Sequence, residues 1–306
     1  MTNHGTTTMI IPRTIASFSY RVAIGYEPGV TRRDPSPVIR VGHTYFVWYS
    51  KSLTDETGYA ATIWYATSPD GLVWNEQGEA LSRGGKGAWD EHAVFTPSIL
   101  VAQSRFFLFY TGVSEPFDND NGGSRATPTA IGVAWAENPP GPWQRCGAEP
   151  VLRPGRNDAF DSHRVDDACL LVRNGRYWLY YKGRAAGSSP LETKMGVAIA
   201  DQPAGPYVKS LRNPLIDGGH EVCVFPSVSG VAALVSPVGP AGATLQYAAD
   251  GLYFQKVCAL QPPAAPGPYR EDHYQDGVAP DIRWGLCHQA DPRQTPRPYL
   301  LRFDCH

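Results

Sequence analysis

Three observations predict that this chain of 306 residues is all-β and folds as a five-bladed β-propeller. The first is a short segment met five times: Arg33-Asp34-Pro35-Ser36-Pro37, Phe95-Thr96-Pro97-Ser98, Val165-Asp166-Asp167-Ala168-Cys169, Val224-Phe225-Pro226-Ser227 and Val278-Ala279-Pro280-Asp281-Ile282. Positions 34, 97, 167, 226 and 281 mark them, at steps of 63, 70, 59 and 55 residues. The second is the pattern after each of the first four segments, an apolar run and then an Ala-rich run that closes in a turn and an aromatic. The third is composition: 31 Gly and 28 Pro supply frequent turns, and 42% hydrophobic residues supply cores between sheets. Periods above roughly 40 residues made of strands and Gly/Pro turns belong to propellers, one four-stranded sheet per repeat.

The first repeat opens at Asp34, passes through the apolar run Tyr45 to Tyr49, and closes at Ala66-Thr67-Ser68-Pro69-Asp70-Gly71 before Trp74. The second opens at Phe95, runs through Phe106 to Tyr110, and closes at Ala136-Glu137-Asn138-Pro139-Pro140-Gly141 before Trp143. The third opens at Asp167, runs through Tyr177 to Tyr181, and closes at Ala200-Asp201-Gln202-Pro203-Ala204-Gly205 before Tyr207. The fourth opens at Val224, runs through Val231 to Val235, and closes at Ala248-Ala249-Asp250-Gly251 before Phe254. The fifth is marked only by its opening at Asp281. Because each sheet buries its face against its neighbours, a closed array is one folding unit. Residues 21–306 are therefore read as one propeller domain, and residues 1–20 as an N-terminal extension without assignment.

The charge balance excludes several classes of function. With 27 basic against 29 acidic residues the chain has no field for nucleic acid or an anionic membrane. The one basic doublet, Arg32-Arg33, is too small to act alone, so a neutral ligand is expected. There is no apolar run of about 18 residues, and the N-terminus lacks the basic start and apolar core of a signal peptide, so a cytoplasmic location is expected. The six cysteines form no CxxC pair, and most sit in apolar runs, where they read as small buried hydrophobes rather than disulfide partners.

In a propeller the innermost strands begin near one mouth of the central channel, so opening residues from different repeats converge there. Asp34 precedes Pro35, whose ring favours extended backbone before it and removes a ladder donor. Asp166 and Asp167 stand together before a buried strand, which is costly unless they are solvated or used; strand neighbours point to opposite faces, so one must turn inward, and Asp167 is taken as that one. Gly218-Gly219-His220-Glu221 puts two titratable groups at the lip of an apolar strand. Carboxylates on separate blades facing a polar mouth suit glycosidic bond cleavage, which needs an acid for the leaving oxygen and a base for water. A sugar-binding propeller without turnover is the competing reading. Expected sugar contacts are Trp64, Asp90, Thr96, His163, Lys182, Arg184 and His288, with His92, Trp89 and Trp284 as further ring-bearing candidates. Asp118-Asn119-Asp120-Asn121-Gly122-Gly123 resembles the start of a calcium loop, but Thr129 stands where such a loop needs Glu, and a solvated turn is preferred. No metal ligand set is assigned; no cofactor is required, and a central divalent cation is allowed without being predicted.

These residues resemble glycoside hydrolase family 117, five-bladed propellers that remove 3,6-anhydro-L-galactose from the non-reducing end of neoagaro-oligosaccharides. The likeness runs from about Tyr26 to Phe254, with a fainter tail in Arg283-Trp284-Gly285-Leu286-Cys287-His288. It is carried by Arg33-Asp34-Pro35-Ser36, Val47-Trp48-Tyr49-Ser50-Lys51, Thr62-Ile63-Trp64-Tyr65-Ala66-Thr67-Ser68, Ala93-Val94-Phe95-Thr96-Pro97, Tyr180-Tyr181-Lys182-Gly183, Gly196-Val197-Ala198-Ile199-Ala200-Asp201 and Gly219-His220-Glu221-Val222-Cys223-Val224. Families 43 and 32 share the fold and the Asp-Pro opening. The resemblance implies an inverting exo-hydrolase in which Asp34 is the general base, Asp167 assists, and His220 is the acid, its pKa raised by the neighbouring Glu221. The matched motifs hold no evident basic cluster, so neutral agar fragments are expected over sulfated ones. Family members commonly carry His-Asp-Pro where this chain has Asp166-Asp167-Ala168. They also often carry a longer N-terminal helical segment exchanged between subunits, so a homodimer is left open. The alternatives are a furanosidase on the same scaffold and a sugar-binding propeller.

Overall fold

The computed structural model describes residues 15–54, 60–116, 128–228, 230–271 and 281–306. The first strand, β1 (Phe18–Ile24), is followed by the first blade: β2 (Thr31–Arg33), β3 (Ile39–Val41), β4 (Thr44–Ser52), β5 (Thr62–Ser68) and β6 (Asn75–Leu81). Both β2 and β3 pair with β4, so the innermost strand of this blade is split around Asp34 to Val38. The second blade is β7 (Ala93–Ala102), β8 (Arg105–Val113), β9 (Ala130–Ala136) and β10 (Gln144–Arg145). The third is β11 (Arg164–Arg173), β12 (Arg176–Arg184), β13 (Lys194–Ala200) and β14 (Val208–Lys209), with a 3-10 turn at Pro190–Glu192 before β13. The fourth is β15 (Val222–Ser227), β16 (Gly230–Val235), β17 (Thr244–Ala248) and β18 (Gln255–Ala259). The fifth is β19 (Gly267–Pro268), β20 (Trp284–His288), β21 (Leu300–Cys305) and, on its outer edge, β1.

Each second strand is covered on both faces by neighbouring blades, which is why β4, β8, β12 and β16 read as continuous apolar runs rather than as alternation. Outer strands meet solvent and alternate, as β6 does. One core fills each gap between blades: Trp48, Ile63, Ile99 and Leu108 between the first and second, Phe109, Leu170 and Leu179 between the second and third, Leu171, Val197 and Val231 between the third and fourth. Phe225, Leu234 and Phe303 fill the fourth gap, and Tyr49, Leu286 and Leu300 close the ring. The ring is also closed by backbone: Val38 donates to the Pro268 carbonyl at 3.1 Å, and Arg270 donates to that of Val38 at 3.1 Å. Among the described residues no helix is long and apolar enough to cross a membrane. Cys146, Cys169, Cys223, Cys258, Cys287 and Cys305 form no disulfide with one another.

Three sequence expectations need correction. The extension was expected to end at Tyr20, yet Phe18, Ser19 and Tyr20 already pair with Cys305, Asp304 and Phe303 in the fifth blade. The innermost strand of that blade is Gly267–Pro268, not the segment around Asp281, which precedes the second strand β20. Pro226 lies near the far end of β15, five residues beyond the true opening of the fourth blade at Glu221. The Pro-containing pattern matched strand interiors there, because apolar residues flank both kinds of site.

Candidate active site

The central channel is ringed by one residue from each blade: Asp34, Thr96, Asp167, Glu221 and Ala265. Four of these five hold left-handed backbone, with φ of 50° at Asp34, 46° at Thr96, 50° at Asp167 and 44° at Ala265. That conformation costs an L-residue about 1–2 kcal/mol, and here it re-aims a side chain from the pleat. In the second and third blades it coincides with register breaks, between Phe95 and Ser98 and between Asp166 and Cys169. A bulge inserts an extra residue and turns the strand locally. The next residues, Pro35, Pro97, Ala168 and Pro266, line the apolar channel with Pro37, Leu170, Val224 and Pro268.

On the other side of the ring lies a polar chamber. Its cations are Arg33, Arg164, Lys182 and Arg184, and its acids are Asp34, Asp166, Asp167 and Glu221, with Phe95, Thr96, Thr193 and His220 completing the wall. The expectation that no basic cluster stands here is corrected, since four basic groups converge from two blades. They were missed because they flank the acids in sequence; Arg33 and Arg164 precede Asp34 and Asp166 by one and two residues. Four acids match the four cations, so the chamber is balanced.

Asp34 is buried. Burial opposes its charge, but Arg33, whose Nε donates to Oδ2 at 2.7 Å, together with the other positive groups around it, Lys182 among them, outweighs that cost and holds the carboxyl below the usual carboxylate range. Its backbone N–H donates to His288 Nδ1 at 3.2 Å. That nitrogen is an acceptor, so the His288 ring carries its proton on Nε2 and is neutral, in keeping with a pKa lowered by burial. Asp167 behaves oppositely: burial, with Asp166, Asp34 and Glu221 adding to it, raises its carboxyl to about 7 against the pull of Lys182 at 2.5 Å. His220 is pushed down to about 3, first by Lys182, then by burial, Arg33 and Arg184. The expectation that a neighbouring carboxylate raises His220 is thus reversed. Its buried Nδ1 makes no hydrogen bond among the described residues.

Glu221 is held from two directions. Its Oε2 accepts the Ala265 N–H at 2.8 Å, and its own N–H donates to Ser236 Oγ at 3.0 Å. Asp34, Glu221 and His288 each offer a ligand atom within 4.8 Å of the other two, a spacing that could hold a cation.

Of the expected residues, the structure brings Asp34, Thr96, Asp167, Lys182, Arg184, His220 and Glu221 together around the chamber, with His288 behind Asp34. It does not bring Trp64, Asp90 or His163 into its wall. The Lys51 ammonium covers a face of the Trp64 ring at 3.7 Å, so that face is closed to a sugar. Asp90 is 1% exposed and accepts from Tyr110 Oη at 3.0 Å and Arg145 Nε at 2.8 Å. The same motif recurs one blade on, where Asp161 accepts from Tyr181 Oη at 2.7 Å and Lys209 Nζ at 2.5 Å. These are blade staples. Glycines make room for the rings beside them: a Cβ at Gly112 or Gly132 would enter the Trp89 ring, and one at Gly183 or Gly196 the Phe160 ring. His163, flanked by Arg164 and Arg184, has its pKa lowered first by burial. Trp89 stacks on Tyr110 and Trp284 on Tyr269, both as core. The calcium-like segment Asp118 to Gly123 lies outside the described residues, and Thr129 is buried with its hydroxyl on the Val165 carbonyl.

The profile of Glycosyl hydrolases family 43 matches residues 29–168. No curated protein matches the chain. Among solved structures, Zg3597, a family 117 glycoside hydrolase produced by the marine bacterium Zobellia galactanivorans, superposes with a TM-score of 0.83 at 31% identity, over 94% of this chain and 90% of that one. Fructan 1-exohydrolase IIa from Cichorium intybus gives 0.59 at 13% identity, over 93% of this chain and 57% of that one. An endo-arabinase from Bacteroides thetaiotaomicron gives 0.56 at 10% identity, over 94% and 98%. The last two likenesses concern the fold alone.

Proposed function

This chain belongs to glycoside hydrolase family 117, and on that premise we propose that it is an exo-acting, inverting hydrolase that releases 3,6-anhydro-L-galactose from the non-reducing end of neoagaro-oligosaccharides. The observation that carries this reading is the convergence of Asp34, Asp167, His220 and Glu221, from three blades, on one polar chamber. A charge-balanced wall of donors and acceptors suits a neutral polyol, and the apolar channel behind the ring supports binding at a chain end rather than along a chain.

Asp34, kept ionised by Arg33, is placed to take a proton from water. A carboxylate oxygen of Glu221 comes within 4.8 Å of one of Asp34, closer than the roughly 6.5–9.5 Å that base and acid need with a water between them. Glu221 therefore supports its neighbour, and His220 is the proton donor of this reading, gaining its proton in the substrate complex. A second assignment is favoured by the protonation states. Asp34 and Asp167 are pushed apart in pKa, and a carboxyl near 7 is matched to acid catalysis at neutral pH, which makes Asp167 the alternative donor.

The test uses neoagarobiose and an aryl glycoside of the same sugar. Asp34→Asn is expected to lower turnover of both by at least ~10²-fold while binding survives. The donor is whichever of His220→Ala and Asp167→Asn loses much less on the aryl glycoside, whose leaving group needs no proton. Turnover of arabino- or galactofuranosides with none of neoagarobiose would replace the substrate; binding without any release would replace the enzyme with a lectin.

A further inference from the structure

We propose that Lys182 is a positioning residue: its ammonium, held between the carboxylates of Asp166 and Asp167, fixes the direction in which Asp167 faces the chamber. The inference rests on the reading of Asp167 as part of the machinery.

Four blades carry a polar residue at one equivalent position, on the second strand at Ser50, Thr111 and Lys182 and directly after it at Ser236. Ser50 Oγ accepts the N–H of Thr96, the ring residue of the next blade, at 2.8 Å. Thr111 Oγ1 lies 2.5 Å from Thr96 Oγ1, and Ser236 Oγ accepts the N–H of Glu221 at 3.0 Å. In three blades a hydroxyl at this position therefore secures a ring residue. The third blade has lysine there, and it touches the ring residue of its own blade, Asp167, at 2.5 Å.

The need for a charge comes from the geometry of the strand beneath. Successive side chains on a strand point to opposite faces, so Asp166 and Asp167 would diverge in a regular pleat. The register break after Asp166 and the φ of 50° at Asp167 swing both carboxylates toward one point. Lys182 is the cross-strand partner of Asp166 and reaches Asp166 Oδ1 at 3.4 Å. A hydroxyl has one proton to donate and could not reach both carboxyl groups, whereas an ammonium on a flexible stem can meet both. Lys182 was expected as a sugar contact, but its charge is engaged by these two acids. Arg164 and Arg184 from the same blade, Arg33 and Asp34 from the first, and His220 and Glu221 from the fourth face the same space.

Lys182→Met keeps the stem and removes the charge. Its crystal structure without sugar is expected to show the Asp167 carboxylate turned away from its wild-type direction. On the sugar that wild type hydrolyses, kcat should fall by ~10²-fold with KM changed less than about threefold. Lys182→Arg should recover at least ~10-fold of that loss, and it carries the kinetic test alone if the methionine variant does not fold. An unmoved Asp167 in the methionine variant overturns the proposal, as does a rise in KM with kcat unchanged, which is the mark of a sugar contact. If wild type hydrolyses none of the sugars offered, the functional reading fails, and the Asp167 orientation still decides this one.

Discussion

Asp34 and Asp167 occupy equivalent ring positions with nearly equal φ, yet their surroundings drive their carboxyls in opposite directions. Arg33 beside Asp34 favours the anion; burial of Asp167 favours the acid. The second effect has a sign for stability. The native state binds a proton at Asp167 that the unfolded chain releases near pH 4, so this contribution is complete below about pH 4 and is lost as pH rises through about 7. Asp167→Asn keeps the shape and cannot ionise. It is expected to unfold at a higher temperature than wild type at pH 8, with the gap closing by pH 4, as thermal scans at both pH values would show. Both acids were legible in the sequence because Asp-Pro and a double acid before an apolar run are unusual. Asp90 was misread for a comparable reason: an acid at the start of a blade looks available. Its true partners, Tyr110 and Arg145, lie 20 and 55 residues away, and only the parallel between Trp89-Asp90 and Phe160-Asp161 could have revealed them.

At the scale of the element, that parallel is a device for tying the strands of one blade together. A buried carboxylate precedes an innermost strand, a tyrosine on the second strand donates to it, and a cation from the outermost strand completes it. Removing one partner of a buried pair strands the other. Asp161→Asn is thus expected to cost about 3 kcal/mol, against about 1 kcal/mol for Tyr181→Phe, measured by urea unfolding. The cost for Asp161→Asn should shrink in a Lys209→Met background, because the cation is then no longer left unmatched; an unchanged cost would mean that the staple is not a unit. The first three openings were legible as strand starts because each carries a polar or acidic residue before Pro or Ala. The fourth was legible in Gly218-Gly219-His220-Glu221, although the repeat marker fell five residues on, at Pro226. The fifth was not: Ala265 has no functional side chain at all, so spacing pointed instead to Asp281.

For the whole molecule, the ring is closed by β1 pairing with β21 across nearly 300 residues of chain, a contact no local signal announces. The strand covers the edge of the fifth blade, and Phe18 meets Phe303 edge to face at 5.9 Å. A chain starting at residue 25 would leave that edge open, and it is expected to melt at a lower temperature and to associate through the exposed strand, visible by light scattering. Unchanged melting would mean that the ring holds without this closure. Closure matters for function because the chamber is built by groups from separate blades, and none of them forms it alone. Together these groups are proposed to break a glycosidic bond with a water activated at Asp34. The most direct measurement of that step is NMR of the first products formed from neoagarobiose. Release of 3,6-anhydro-L-galactose with the anomeric centre inverted is the predicted result; release with retention would make one of the ring carboxylates a nucleophile and contradict the role given to Asp34.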